Sequence, residues 1–166
     1  MILFSPAGRG PLFRIPATGG DAVAVTKVEL PRQNTHRFLQ FLPDGRQFLF
    51  YVSGTPDDRG IYLGSLDSAE ARRLMVADSS GLYAPSGPSG PSGWLLFIRQ
   101  GTLVARRFDS SRGQLMGDPV TVADSVNYDG ARFSLAGWCG SCPEPRRRGF
   151  RERLVERRTL HSVSQY

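Results

Sequence analysis

Two closely spaced cysteines are the first residues whose types and spacing could do chemistry. Cys139 and Cys142 form a Cys-x-x-Cys motif, which in a suitable setting binds zinc or exchanges disulfides. A structural zinc ion needs four ligands, and the two histidines of the chain, His36 and His161, have no paired spacing. A redox motif of this type needs a βαβ setting, which the surrounding sequence lacks. We therefore interpret the motif as a chance occurrence and predict neither a metal site nor a redox site.

The other polar candidates are also interpreted as structural. Asp57 and Asp58 could bind a cation or act as an acid and base, but they lie in a Gly- and Pro-containing loop, where adjacent aspartates are usually solvated. His36 lies in a connection without a recognisable nucleophile or orienting group, so we expect a surface or hydrogen-bonded structural histidine. Two arginine pairs on predicted strands are expected to be surface or edge charges: Arg72 with Arg73, and Arg106 with Arg107. No catalytic, cofactor-binding or metal-binding residue is predicted, and we expect no enzymatic activity.

The positive charge of the chain is concentrated at one end. The net charge is +6 over 166 residues, yet residues 1–137 hold 14 Lys or Arg against 12 Asp or Glu. Residues 138–166 hold seven Arg, three of them at 146–148, against three Glu. The body therefore lacks the basic face that neutralises phosphates, and we predict no nucleic-acid binding for it. There is also no apolar run of transmembrane length and no basic N-terminal start typical of a secretory signal.

A repeat of short apolar runs organises the body. The chain holds 19 Gly and 12 Pro, a composition that favours strands and turns. Runs that begin at Met1, Gln47 and Trp94 align, and each is followed by a turn, a strand of mixed polarity, a second turn and a β-branched or Ala-rich strand. The aligned residues Phe4, Phe50 and Phe97 lie 46 and 47 residues apart. That period is the length of a β-propeller blade, although a generic β-sandwich with regular turns is the alternative.

A hairpin turn is predicted between Phe41 and Phe48. Pro43 presets its own φ, Asp44 accepts hydrogen bonds from the nearby backbone, and Gly45 tolerates a positive φ. The turn joins two apolar strands, which is typical of a hairpin.

On these residues the chain resembles a known family. Residues 38–50 resemble the TolB-like, WD-type propeller repeat, with Leu42 where that repeat usually has Ser. Residues 1–135, notably 59–66 and 99–103, resemble the C-terminal propellers of membrane-anchored bacterial serine/threonine kinases. The resemblance implies an extracytoplasmic sensor domain. The kinase motifs themselves, including the Gly-rich loop, His-Arg-Asp and Asp-Phe-Gly, do not occur in this chain.

The chain departs from a closed propeller in its length and in its last segment. Three periods fall short of the roughly 4–8 blades of closed propellers, so we expect a partial propeller of about three four-stranded antiparallel blades. The repeats fall near 1–46, 47–93 and 94–136, and the Ser-Gly-Pro tract at 86–93 is expected to be a mobile loop without a function. Residues 137–166 break the periodicity. They are predicted to be a disordered or short-helical Arg- and Pro-rich tail, and a frameshift is our hypothesis for its origin.

The resulting functional expectation is a non-catalytic binding or sensor module. Loops on a rigid blade rim are where recognition usually occurs, and the partner would be a protein, peptide or small ligand. No cofactor is expected, and uncovered blade faces would allow self-association. One alternative is a propeller cap of a prolyl-oligopeptidase-type peptidase, although its Gly-x-Ser-x-Gly elbow is absent from the chain. A non-functional gene remnant is the other.

Overall fold

The described part of the chain is built entirely from antiparallel β-sheets. A computed structural model describes residues 1–87 and 91–126, and no helix occurs in these residues. The strands are β1 (Ile2–Phe4), β2 (Phe13–Ile15), β3 (Val23–Ala24), β4 (Gln33–Phe41), β5 (Gln47–Gly54), β6 (Gly60–Ser65), β7 (Ser68–Met75), β8 (Gly81–Pro85), β9 (Ser92–Arg99), β10 (Thr102–Asp109) and β11 (Gln114–Ala123). They form three sheets of consecutive strands, β1–β3, β4–β7 and β8–β11.

This arrangement confirms the predicted fold class. The sheets are blade-like meanders and are compatible with part of a β-propeller. The first sheet has three strands instead of four. Among the described residues it has no equivalent of β4 and β8, the strands with which the second and third sheets begin. The second and third sheets each begin with the strand before the apolar run, at Gln33 and Gly81, so they share the sequence period but start one strand earlier. The predicted tail at 137–166 lies outside the described residues.

Strand β5 is buried on both of its faces. Phe48, Phe50 and Val52 point to one side, where they form the first core with Leu3 of β1 and with Leu12, which immediately precedes β2. Such alternation follows from the two-residue period of a strand. Burial of one large apolar side chain contributes about 1.5–3 kcal/mol, so this core ties the first sheet firmly to the second.

The opposite face of β5 belongs to a second core. Leu49 packs there with Ile61 of β6, and with Leu95 and Phe97 of β9. The second sheet is therefore covered on one face by the first sheet and on the other by the third. Equivalent positions of the repeat face the same way in successive sheets. Phe50 and Phe97 each face the preceding sheet, whereas Leu3 and Leu49 face the following one.

A side-chain amide also links the first strands of two successive sheets. Gln40 on β4 donates from Nε2 to the Tyr83 carbonyl at 3.1 Å, and its Oε1 accepts from the Tyr83 amide at 2.7 Å. The Gln40 side-chain amide thus makes the same pair of hydrogen bonds to the Tyr83 backbone that a peptide group of a paired strand would make. Since Tyr83 is itself buried in the second core, this pair of bonds helps to hold the two sheets in register.

The predicted hairpin turn between β4 and β5 is confirmed. Phe41 pairs with Phe48 across the two strands, and the Gly45 amide donates to the Leu42 carbonyl at 3.0 Å. The Asp44 carboxylate accepts from the amides of Arg46 and Gln47 at 3.0 and 2.9 Å. Gly45 has a φ of +64°, which is the left-handed conformation that the sequence predicted.

We predict that Gly45→Val destabilises the protein by about 1–3 kcal/mol, because a β-branched residue is strained at this φ. Nothing lies within 4 Å of a Cβ at this position, so the loss would come from the backbone and not from a clash. Gly45→Asn is the matched control, since Asn tolerates the left-handed region, and its loss should be clearly smaller. Urea unfolding of both variants measures the difference, and equal losses would contradict the backbone explanation.

Candidate functional site

A short segment before β2 lies against the edge of β4. Residues 8–10, which we call the strap, run parallel to β4 through a bridge between Gly10 and Thr35. The Gly10 amide donates to the Asn34 carbonyl at 3.3 Å, and the His36 amide donates to the Gly10 carbonyl at 3.0 Å. Gly10 has a φ of +119°, a conformation that glycine readily adopts. The strap thereby brings Arg9 beside the second sheet.

A cleft of about 410 Å³ opens between the strap and strands β4 and β5. Thr35 and Arg37 line it together with their cross-strand partners on β5, Ser53 and Tyr51. The intervening His36, paired with Val52, belongs to the first-core side. The remaining lining residues are Gly8, Arg9, Asn34 and Phe38. Strand alternation thus places the two cross-strand pairs on the face opposite the first core, beyond the part of β5 that Leu49 packs into the second core.

Two arginines give the cleft its charge. The Arg37 guanidinium donates from Nη2 to the Gly8 carbonyl and from Nε to the Thr35 hydroxyl at 3.4 Å. A Cβ on Gly8 would lie only 3.1 Å from that Nη2, so the absence of a side chain allows the close approach. Arg9 is exposed on the strap. Neither arginine forms an ion pair within residues 1–87 and 91–126, and the lining contains no carboxylate.

Phe38 has the most unusual backbone of the lining residues. The pairing of β4 with β5 shifts register between Arg37 and Gln40, and within this bulge Phe38 has a φ of +54°. For an aromatic residue this conformation costs roughly 1–3 kcal/mol and tends to occur at functional sites. Bulges re-aim side chains, and here the half-buried ring of Phe38 lies 6.5 Å from that of Tyr51.

His36 is the hydrogen-bonded structural histidine that the sequence predicted, but it lies within β4 and not in a connection. The first residues of β4, from Gln33 to His36, pair with the end of β5. They are polar, so no hydrophobic pattern reveals this part of the strand. The imidazole is 2% exposed and lies 5.0 Å from the Phe50 ring. Burial lowers its pKa to about 4.

Both ring nitrogens of His36 have partners that define a neutral tautomer. The Gln33 side-chain oxygen, which accepts from the Glu29 amide at 3.3 Å, can only accept from Nε2, at 3.1 Å. Nδ1 of the neutral ring is then the acceptor. The Thr26 hydroxyl, which accepts from the Leu12 amide at 2.9 Å, donates to Nδ1 at 2.8 Å. The network joins Leu12 and Thr26, which flank β2 and β3, to the connection at Glu29 and to His36 of β4. His36 is the sequence neighbour of the cleft-lining Thr35 and Arg37.

The aspartate pair is part of a loop structure. Asp58 accepts from the Thr55 hydroxyl at 2.9 Å and pairs with Arg32 at 3.1 Å, whereas Asp57 is exposed. The Asp57 backbone carbonyl accepts from Arg73. These contacts close the loop between β5 and β6, and neither aspartate lines the cleft.

The predicted strand arginines lie at the surface, with one exception. Arg72 and Arg73 are exposed on the edge strand β7, and Arg72 donates to the Gly113 carbonyl. Arg107 is exposed over the Trp94 ring, with its guanidinium carbon 4.9 Å from the centroid. Arg106 is half-buried on the interior strand β10 and donates to the Gly117 carbonyl at 2.9 Å. None of the four lines the cleft.

Sequence reasoning missed the lining residues of the cleft. Arg9, Arg37 and Phe38 were not candidates, although the Gly-Arg-Gly of the strap could have indicated a tight backbone approach. Cys139, Cys142, His161 and the arginines at 146–148 lie outside the described residues. Within the described ranges, no group of three or more His, Cys, Asp or Glu side chains could hold a metal ion. The same ranges contain no helix long and apolar enough to cross a membrane.

Fold and cleft together define a blade-like, all-β protein with a small basic and aromatic cleft beside its second sheet. No protein family, curated protein or solved structure matches the chain. The geometry of the cleft is therefore the structural basis for a functional proposal.

We predict that stability falls as the pH drops from about 6.5 to about 4. His36 has its lowered pKa only in the folded protein, so in this window the unfolded chain binds more protons. The contribution of neutral His36 to the free energy of unfolding is fully present above pH 6.5. The loss of this contribution approaches about 3 kcal/mol near pH 4. Urea unfolding at several pH values should show this slope. Between about pH 6.5 and 5, above the range in which Asp and Glu side chains titrate, the slope should disappear in His36→Gln and persist in the control His161→Gln. An unchanged slope in His36→Gln would contradict the assignment.

Proposed function

We propose that this chain is a non-catalytic ligand-binding or sensor module built from propeller-type blades, and that the cleft is its recognition site. The observation that carries the proposal is Phe38, an aromatic residue in a left-handed conformation within a strand bulge that borders the cleft. The fold tolerates that strain beside an open, polar surface. Backbone strain of this kind recurs at ligand clamps.

The composition of the cleft favours binding over catalysis. Its lining holds arginine, amide, hydroxyl and aromatic groups, but no His, Cys, Asp, Glu or Lys. A nucleophile needs a base within hydrogen-bond reach. The adjacent imidazole of His36 faces the first core, where Thr26 and Gln33 occupy its nitrogens. The lining thus offers groups that hold and orient a ligand but no side chain suited to accept its proton.

The proposal includes a cellular role as the sensor part of a receptor-type serine/threonine kinase. Its support is the resemblance of residues 1–135, notably 59–66 and 99–103, to kinase-attached propellers. Residues 34–38 of the cleft belong to β4, whose hairpin with β5 carries the family-like turn. A ligand bound there would contact the repeat unit itself and not an insertion.

The proposed function is tested by mapping ligand contacts on the ¹⁵N-labelled chain. Mixtures of amino acids, dipeptides and simple sugars would be titrated while amide shifts are recorded. We expect shifts at residues 8–10, 34–38 and 51–53. Phe38→Ala should weaken binding of the identified compound about tenfold, equivalent to about 1.4 kcal/mol.

The control for this experiment is Phe4→Ala, which removes another half-buried ring from a strand outside the cleft. Its dissociation constant should match that of the unmodified chain. Shifts confined to another surface, or equal affinities for Phe38→Ala and Phe4→Ala, would contradict the assignment of the cleft.

A further inference from the structure

The charge balance of the cleft points to the chemical class of its ligand. We infer that the cleft takes a small organic anion, with carboxylate or phosphate oxygens on Arg37 and Arg9 and a flat apolar group against Phe38. This inference rests on the proposed function and adds the ligand class. It is based on the presence of two arginines, and of no carboxylate, among the residues that line the cleft. An anionic group would supply the missing counter-charge.

Arg37 is already oriented for such a contact. Its Nε and Nη2 donors are held by the Thr35 hydroxyl and the Gly8 carbonyl. No hydrogen bond within the described residues uses its Nη1 donors. A guanidinium carries five N–H donors in a rigid fork that matches carboxylate and phosphate oxygens. Because part of the fork is anchored, less conformational entropy is lost when an anion binds.

Arg9 lies on the other wall of the cleft, on the strap. The strap is hydrogen-bonded to β4 at Asn34 and His36, so the backbone position of Arg9 is defined while its side chain is exposed. An anion at Arg37 would draw this second guanidinium towards it. Charge-assisted hydrogen bonds of this type are roughly twice as strong as neutral ones.

The size and the aromatic wall limit the rest of the ligand. A volume of about 410 Å³ is near the lower end of the range of small-molecule sites, roughly 300–1,000 Å³. Phe38 lies on the lining beside Tyr51, with the two rings tilted by 36°. A planar apolar group would pack against Phe38 while its anionic end reaches the arginines. Benzoate and phenyl phosphate have this shape, and benzamide is the neutral isostere of benzoate.

The test is a titration of the full chain with these three compounds and with inorganic phosphate, followed by amide shifts and calorimetry. We expect benzoate or phenyl phosphate to shift residues 8–10 and 34–38, and benzamide to bind at least tenfold more weakly. The tighter of the two anions identifies carboxylate or phosphate as the preferred group. Inorganic phosphate should bind more weakly than phenyl phosphate, since it lacks the ring.

Variants separate a specific clamp from general charge attraction. Arg37→Gln should weaken anion binding at least tenfold, and Arg37→Lys should recover only part of it because the fork is lost. Arg9→Gln should weaken binding severalfold. Arg9 has no hydrogen bond within the described residues, so this change should leave the fold intact. The control Arg99→Gln makes the same charge change at an exposed position of β9 outside the cleft and should alter affinity less than twofold.

Three results would contradict the anion inference or the proposed function. Benzamide that binds as tightly as benzoate, with shifts at the cleft, would overturn the anion inference and leave the binding function standing. An Arg99→Gln loss equal to that of Arg9→Gln would also overturn it, because general charge would then explain the affinity. If no anion, neutral compound, amino acid, dipeptide or sugar shifts the cleft residues, the proposed function fails as well.

Discussion

Strand β5 has to satisfy two hydrophobic cores at once, and the other features of the described structure depend on this constraint. Phe48 and Phe50 face the first sheet, and Leu49 faces the third. A slip of one residue in its pairing with β4 would exchange these faces and would place phenylalanines where Leu49 now fits. The same register places His36 in the first core and turns Arg37 to the cleft. Core packing therefore determines which polar groups are presented.

The site is connected to the core by hydrogen bonds that few sequence patterns encode. The neutral ring of His36 joins Thr26 and Gln33, and its backbone amide holds the strap at Gly10. The strap in turn places the carbonyl that orients Arg37. Packing on the first-core side of β4 thus helps to hold the Arg37 donors in place on the cleft side. The strain at Phe38 is offset by the bonds and contacts around it.

The fold was largely predictable from the sequence, whereas the cleft was not. Apolar runs ending at Phe50 and Phe97 reveal buried strands because burial imposes hydrophobicity directly, and the Pro-Asp-Gly turn reveals a hairpin because its conformation demands particular residues. The cleft depends on a parallel bridge between Gly10 and Thr35 and on the bulge at Phe38. The bridge joins segments distant in sequence, for which the Gly-Arg-Gly of the strap is the only hint, and no residue pattern marks the bulge. His36 was correctly interpreted as structural, yet its strand was missed for the same reason.

The most direct test of the two-core arrangement is a pair of double-mutant cycles measured by urea unfolding. Leu3 and Phe50 share the first core, whereas Leu3 and Leu49 belong to different cores. Alanine substitutions at Leu3 and Phe50 should show a coupling of about 0.5–3 kcal/mol, because both side chains help to fill the same core. Those at Leu3 and Leu49 should be additive within about 0.5 kcal/mol. A coupling between Leu3 and Leu49 that equals or exceeds the one between Leu3 and Phe50 would contradict the account.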